Sequence, residues 1–139
     1  MELDEATKRV LLERAAHLDW RDESLVRLAM ARGHTYRSLA RMYDASAGAT
    51  FRRVRSLLRR LGDSVVVALI ESPAGGLPPT YREIGLRHFV RRQAVRGIAR
   101  ELGVSRAQVH RANAYVREWV RARQQARAAV ERAMVMAEG

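Results

Sequence analysis

AVRGIARELGVSRAQVHRANAYVREWV, residues 94 to 120, decides the fold. The stretch predicts a short helix, a tight turn at Leu102-Gly103-Val104 and a second helix beginning at Ser105. Gly103 stands where the turn needs a positive φ, which glycine adopts without a Cβ penalty. Ser105 stands where a hydroxyl can accept from the unpaired N–H groups of a first helical turn. Fifty-nine positions earlier, TYRSLARMYDASAGATFRRVRSLLRRL (residues 35 to 61) repeats the layout. Arg37 matches Arg96, Ala40 matches Ala99, Arg41 matches Arg100, Ser46 matches Ser105 and Arg52 matches Arg111. Leu39 stands opposite Ile98, and Leu57 opposite Val116. Arginine matches carry little weight in an arginine-rich chain. The alanines carry more, since a small residue where two helices cross lets their backbones approach. At the turn the first copy has Asp44, a residue that tolerates the left-handed conformation better than most.

Outward from this pair, the chain reads as helical throughout. Ala6, Val10, Leu11, Ala15 and Leu18 recur at helical spacing over residues 4 to 18. Asp19 to Glu23 is a polar break with two cap-capable aspartates, and a helix is expected from about Asp22 to Arg32, with Leu25, Leu28 and Ala29 inward and Gly33 as its stop. Thr35 can cap a helix over 36 to 42, and the next runs from about 47 to 61, burying Thr50, Val54 and Leu57. VVVALI (65 to 70) is β-branched and could form a strand. In this company, with Ser64 as a cap, a short helix is the better expectation. SPAGGLPP (72 to 79) reads as a linker, and Thr80-Tyr81-Arg82-Glu83 fits a capping box for a helix over 81 to 92. The expected fold is all-α: an N-terminal helix plus one trihelical unit in 1–71, a Pro/Gly linker in 72–79, and a second trihelical unit in 80–139. The last helix has no stop signal. Val109, Ala112, Val116, Trp119, Ala126, Val130 and Ala133 approximate a heptad seam, broken at Arg123. It is expected to form a homodimer contact or to fold back on the N-terminal helix.

The chain has 139 residues and a formal net charge of +11. Lys8 is the one lysine among 26 basic residues. The charge is not spread evenly. Residues 1 to 24 hold four basic and seven acidic side chains, whereas residues 25 to 61 hold nine Arg and one Asp. Residues 62 to 80 carry only Asp63 and Glu71, and residues 81 to 139 carry thirteen Arg and five Glu. The positive charge coincides with the two repeat-bearing segments, as a polyanion partner would require. There are no cysteines, so disulfides and thiolate metal sites are excluded.

The second copy, through Ile98-Ala99, Leu102-Gly103-Val104-Ser105 and Val109, resembles the helix-turn-helix of bacterial transcription proteins. The family it is most similar to is the fourth conserved region of sigma-70-type factors, which reads the promoter −35 element. The first copy carries the likeness through Leu39-Ala40, Tyr43-Asp44-Ala45-Ser46 and Thr50, departing at the turn glycine and at Thr50 (Val109 in the second copy). The resemblance covers roughly half the chain. No stretch resembles the core-polymerase-binding and −10-melting region, which argues against a complete sigma factor.

The resemblance implies that the second helix of each pair presents its first turns to the major groove. The base-reading candidates are then Ser105, Arg106, Gln108, His110 and Arg111, since Arg can hold guanine and Gln adenine through two hydrogen bonds. Arg96 and Arg100 are better placed for phosphates. In the first copy the same face offers Ala47, Gly48, Phe51, Arg52 and Arg55, with no hydrogen-bonding side chain at the leading turn. Phe51 could touch a thymine methyl or belong to the core. Arg37, Arg41, Arg52, Arg53, Arg55, Arg59 and Arg60 are the expected phosphate contacts there. Residues 94 to 120 are thus expected to read sequence and residues 35 to 61 mostly to hold on.

The expected function is sequence-specific binding of double-stranded DNA as a transcription regulator. Alternatives are the DNA-recognition subunit of a larger machine, of the phage small terminase or transposase type, and a sigma-like module docking on RNA polymerase. No cofactor is expected. His17, His34, His88 and His110 lack metal-ligand spacing, and no phosphate loop or catalytic triad is evident, so an enzyme is not expected. Trp20 and Trp119 are expected as core or interface anchors rather than base-stacking groups. The acidic N-terminus does not read as a signal peptide, and the longest apolar run is too short to span a bilayer. A cytoplasmic, nucleoid-associated place in a bacterium or phage-infected cell is the default.

Overall fold

The computed structural model describes residues 3–31, 33–72 and 76–139. Among them the regular structure is entirely helical, and the chain divides into two compact units, Met1–Ile70 and Glu71–Gly139.

In the first unit, helix α1 (Glu5–Ala15) is capped by Asp4, whose Oδ1 accepts from the Thr7 N–H at 2.6 Å. Its buried side differs from the expected one. Ala15 and Leu18 are buried and Leu11 half-buried, whereas Ala6 and Val10 are exposed. At about 100° per residue, Leu11, Ala15 and Leu18 cluster on one edge of the helix, whereas Ala6 and Val10 are turned away from it by about 80° or more.

Helix α2 (Trp20–Met30) starts two residues earlier than expected because Asp19 is its cap, accepting from the N–H groups of Arg21 and Asp22 at 3.0 Å. Asp22 is therefore not a cap. It points inward and is 6% exposed. Helix α3 (Tyr36–Met42) has the capping box Thr35–Ser38, and helix α4 (Ala47–Gly62) buries Thr50, Val54, Leu57 and Leu61. Arg14 ties α1 to the end of α4 by donating to the Leu61 carbonyl at 2.9 Å. Residues 65 to 70 are helical, in α5 (Ser64–Glu71). Its cap is Asp63 rather than Ser64, since Asp63 Oδ2 accepts from the N–H groups of Val65 and Val66. Val66 and Leu69, three apart, form its buried edge.

In the second unit, helix α6 (Pro79–Gly85) continues into a π-helical turn, Leu86–Val90. The expected capping box at Thr80 and Glu83 does not form. The helix begins at Pro79, which puts Thr80 inside the first turn, and Glu83 pairs with Arg87 at 2.9 Å. The helix stops at Val90, and Arg92 takes a left-handed φ of 58°. Helix α7 (Val95–Leu102) and helix α8 (Arg106–Glu138) follow. Ile84, Ile98, Ala99, Val109 and Ala112 form the core, with Tyr81, Val95, Leu102 and Val104 packed against it.

The segment expected as a linker is partly packed. Leu77 is buried, and a Cβ on Gly76 would come within 2.8 Å of the Trp119 ring, so any other residue there would have to displace the indole. Residues 73 to 75 of that segment lie outside the described residues.

The 59-residue offset holds in the backbone and extends beyond the quoted stretches. Shifted by 59, α2 falls on Pro79–Phe89, α3 on α7 and α4 on the first half of α8. Buried Leu25, Leu39, Ala40, Thr50, Leu57 and Leu61 fall on buried Ile84, Ile98, Ala99, Val109, Val116 and Val120. Each copy is a three-helix core built from the same positions.

Candidate nucleic-acid interface

The two turns that launch α4 and α8 share one hydrogen-bond scheme. Asp44 (φ 51°) and Gly103 (φ 67°) both adopt the left-handed conformation. One residue later, Ala45 N–H donates to the Ala40 carbonyl at 2.9 Å and Val104 N–H to the Ala99 carbonyl at 3.0 Å. These are the six-to-one bonds that end a helix at a left-handed residue. The next helix is then capped by Ser46 Oγ accepting from Ala49 N–H at 3.0 Å, or by Ser105 Oγ accepting from Gln108 N–H at 3.0 Å. Only the second cap is reciprocal, with Gln108 Oε1 accepting from Ser105 N–H at 2.7 Å. The carboxamide of Gln108, expected to read bases, is thus engaged first in fixing the helix start.

Each helix presents its first three turns outward. On α8, Arg106, Ala107, His110, Arg111 and Ala114 are all exposed and recur at the spacing of one helix face. Arg96 and Arg100 on α7 are exposed as well. On α4 the matching face is Ala47, Gly48, Phe51, Arg52 and Arg55, again exposed, with Arg59 one turn on and Arg37 and Arg41 exposed on α3. Asp44 is the single acid in residues 35 to 61.

Two arginines assigned to this surface are used elsewhere. Asp22 Oδ1 accepts from Arg53 Nη2 at 2.7 Å, and Asp22 Oδ2 lies 3.6 Å from Arg60 Nη1. Arg60 is 7% exposed, which removes it from the expected phosphate contacts. Arg53 keeps about half of its side chain in solvent while bound to Asp22 (49%). A buried carboxylate demands a cation, and α4 supplies two.

In the second unit the charge near the face is handled at the surface. Arg87 bridges Glu83 and Glu101, linking the π-helical turn to α7. Glu101 is held below the usual carboxylate range by hydrogen bonds from Gln93 and then Arg87. His88 is pushed below the ordinary histidine range, first by burial and then by the nearby charges of Arg117, Arg92 and His110, against an opposing backbone contact from Gln93. Among the described residues, its Nδ1 and the Oδ1 of Asn113 are buried and meet no hydrogen-bond partner.

The aromatic side chains depart from expectation. Trp20, expected as an anchor, is 71% exposed, with the Arg21 guanidinium 5.2 Å from its ring. It is the first residue of α2, where the side chain projects beyond the core. Trp119 is half-buried, under Gly76 and with Arg123 4.8 Å over its ring. Phe51 is on the surface, edge-on to Tyr36 with centroids 5.0 Å apart. Tyr115 belongs to the same face but was not among the expected contacts. It is exposed four residues beyond Arg111 and packs edge-on against Tyr81 at 5.1 Å. Its spacing from Arg111 was the available signal.

Beyond Val120, α8 is exposed except for half-buried Ala128, with Val130, Met134, Val135 and Met136 all facing solvent. Among the described residues no helix is long and apolar enough to cross a membrane. A scan of protein-family models, a search of curated proteins and a search of solved structures each return no match.

Proposed function

We propose that the chain is a sequence-specific double-stranded DNA-binding protein, a transcription regulator built from two helix-turn-helix units similar to the −35-reading region of sigma-70-type factors. One observation carries this reading. Two turn-linked helix pairs in the same register each present the first turns of the second helix as an exposed face carrying arginine. In the second unit Arg106, His110 and Arg111 offer donors to base edges, with Ser105 and Gln108 fixing the start of the helix. Arg37, Arg41, Arg52, Arg55, Arg59, Arg96 and Arg100 contact phosphates, and Arg53 adds the exposed part of its guanidinium.

The test is the affinity of the full chain for a mixed-sequence duplex across salt concentrations. Eight phosphate-bound arginines predict a log–log slope of about −7. An affinity unchanged between low and moderate salt overturns the reading.

A second reading draws on the exposed apolar residues at the end of α8. In it the chain is the DNA-recognition subunit of a larger assembly, of small-terminase or transposase type, or it docks on RNA polymerase, with the end of α8 as the contact to a second copy or to the partner. Sedimentation together with co-purification decides between them. A ring-sized mass favours the terminase type and a dimer favours the regulator, whereas co-purification with polymerase without DNA affinity favours docking.

A further inference from the structure

We propose that the first unit also reads sequence: Phe51 selects thymine through its C5 methyl group. The inference rests on the DNA reading above and changes what α4 does within it.

Phe51 occupies the position that His110 holds in the second unit, 59 residues on, at the middle of the exposed face. It is 37% exposed, so burial does not account for it. Its ring is braced on two sides. Tyr36 meets it edge-on at 88°, and the Arg55 guanidinium lies 5.5 Å from its centroid. A ring held this way offers a fixed apolar surface at little cost in side-chain freedom. The turn ahead of it is nearly bare. Ala47 and Gly48 project nothing beyond a Cβ, and a Cβ at Gly48 would meet only Arg52 Nη1, at 3.4 Å. The backbone of α4 can therefore approach a groove floor more closely than α8, whose matching residues are Arg106 and Ala107.

Among the four bases, thymine alone puts a methyl group in the major groove. Against it an aromatic ring gains apolar contact. Against cytosine the same ring meets a C5–H and loses the methyl contact, and against guanine or adenine it covers polar edge atoms and leaves them unpaired, which is costly. Exposed Met42 and Tyr43, at the end of α3, add apolar surface on the same unit. The surrounding charge favours DNA over a protein partner. Arg37, Arg41, Arg52, Arg55 and Arg59 are exposed on α3 and α4, and Asp44 is the single acid among residues 35 to 61.

The experiment uses two mixed-sequence duplexes of about 40 base pairs, or four helical turns. One is made with thymidine and the other with deoxyuridine, so that they differ only in methyl groups. Affinities of the full chain are read by fluorescence anisotropy, with thermal melting checking that each variant folds. The wild type is expected to bind the deoxyuridine duplex about three- to five-fold more weakly, the value of one buried methyl group. Phe51→Ala is expected to narrow that gap, and Phe51→Leu, which keeps apolar surface, to retain much of it. Equal wild-type affinity for the two duplexes overturns the inference while leaving DNA binding intact. A gap that survives Phe51→Ala overturns it too. Unchanged affinity of Phe51→Ala for the thymidine duplex overturns it by assigning the ring to a protein contact. If neither duplex binds at any salt concentration, the DNA reading falls and this inference with it.

Discussion

The two units share a backbone and differ in where they put their polar groups. In the first, Arg60 and the half-exposed Arg53 form an ion cluster around the buried Asp22 carboxylate, and an aromatic ring sits outside on α4. In the second, the positions 59 residues on are Tyr81, Ala112 and Trp119. The cluster is gone, the interior at these points is apolar or aromatic, and Arg106 and His110, proposed above to meet base edges, are outside. One three-helix core has thus been stabilised in two ways, and each leaves a different leading face. The comparison teaches that the fold does not require the ion cluster, because its second copy stands without it.

The largest effect expected from breaking this contrast is in the first unit. Asp22→Ala removes the buried carboxylate that both Arg53 and Arg60 face and should cost about 3–5 kcal/mol. Hydrogen exchange should localise the loss to residues 20 to 62 and leave α6 to α8 protected. Replacing all three residues by their counterparts, Asp22→Tyr with Arg53→Ala and Arg60→Trp, should be neutral or stabilising by about 1–4 kcal/mol in chemical denaturation. A large loss from the triple substitution would mean that the first unit has lost the room its counterpart keeps.

This cluster also marks where the sequence stopped being legible. The turns could be read because their signals are local: Gly103 and Ser105, Asp44 and Ser46, all within a few residues. The helix over 65 to 70 followed from its helical surroundings. Asp22 could not be placed, because its partner Arg53 is 31 residues away and a nearby aspartate, Asp19, competed for the cap. Arg60 reads as a surface group from periodicity for the same reason, yet is buried. Of the candidate faces, the positions were legible from helix periodicity and proved exposed. The role of Gln108 in its own cap, the bracing of Phe51 and the solvent position of Trp20 depend on packing that periodicity does not carry.

The next effect bears on the unequal faces. Arg106→Ala should cost about 1–3 kcal/mol on preferred sequences and relax the preference, while Arg59→Ala should weaken all sequences alike and lower the salt slope by about one. Selection from a random duplex library before and after each change measures both. Equal loss on every sequence from Arg106→Ala would remove the base-reading role from α8.

A smaller effect separates the units by pH. His88 belongs to the second unit, and its ring is held below the ordinary value of 6.5 chiefly by burial. The unfolded chain therefore takes up the proton first as pH falls. The stability that neutral His88 allows is complete above about pH 6.5 and declines as pH drops from there through the lowered folded-state value. Exchange protection in α6 to α8 should fall below that pH more than protection in α2 to α4, and His88→Gln should flatten the difference. A slope that persists in His88→Gln would assign it to another group.

The smallest effect tests the turns themselves. Asp44 and Gly103 hold the same left-handed position, and only one is glycine. A non-glycine residue there is strained by about 1–2 kcal/mol, less for aspartate than for most. Asp44→Gly relieves that strain but frees the unfolded chain by about 0.5–1 kcal/mol. Asp44 is exposed, so no buried contact is lost. The two terms leave a gain of a few tenths of a kcal/mol, read as a small rise in the denaturation midpoint of the first unit. The same change removes the one acid of residues 35 to 61, which should strengthen DNA affinity at low salt. Asp44→Asn separates the two consequences, since asparagine tolerates the conformation and carries no charge. It should raise affinity like Asp44→Gly while leaving stability nearly unchanged. If Asp44→Gly instead destabilises the unit, the aspartate contributes something to the turn beyond tolerating its geometry, and the two turns differ by more than the ease with which each residue adopts the left-handed conformation.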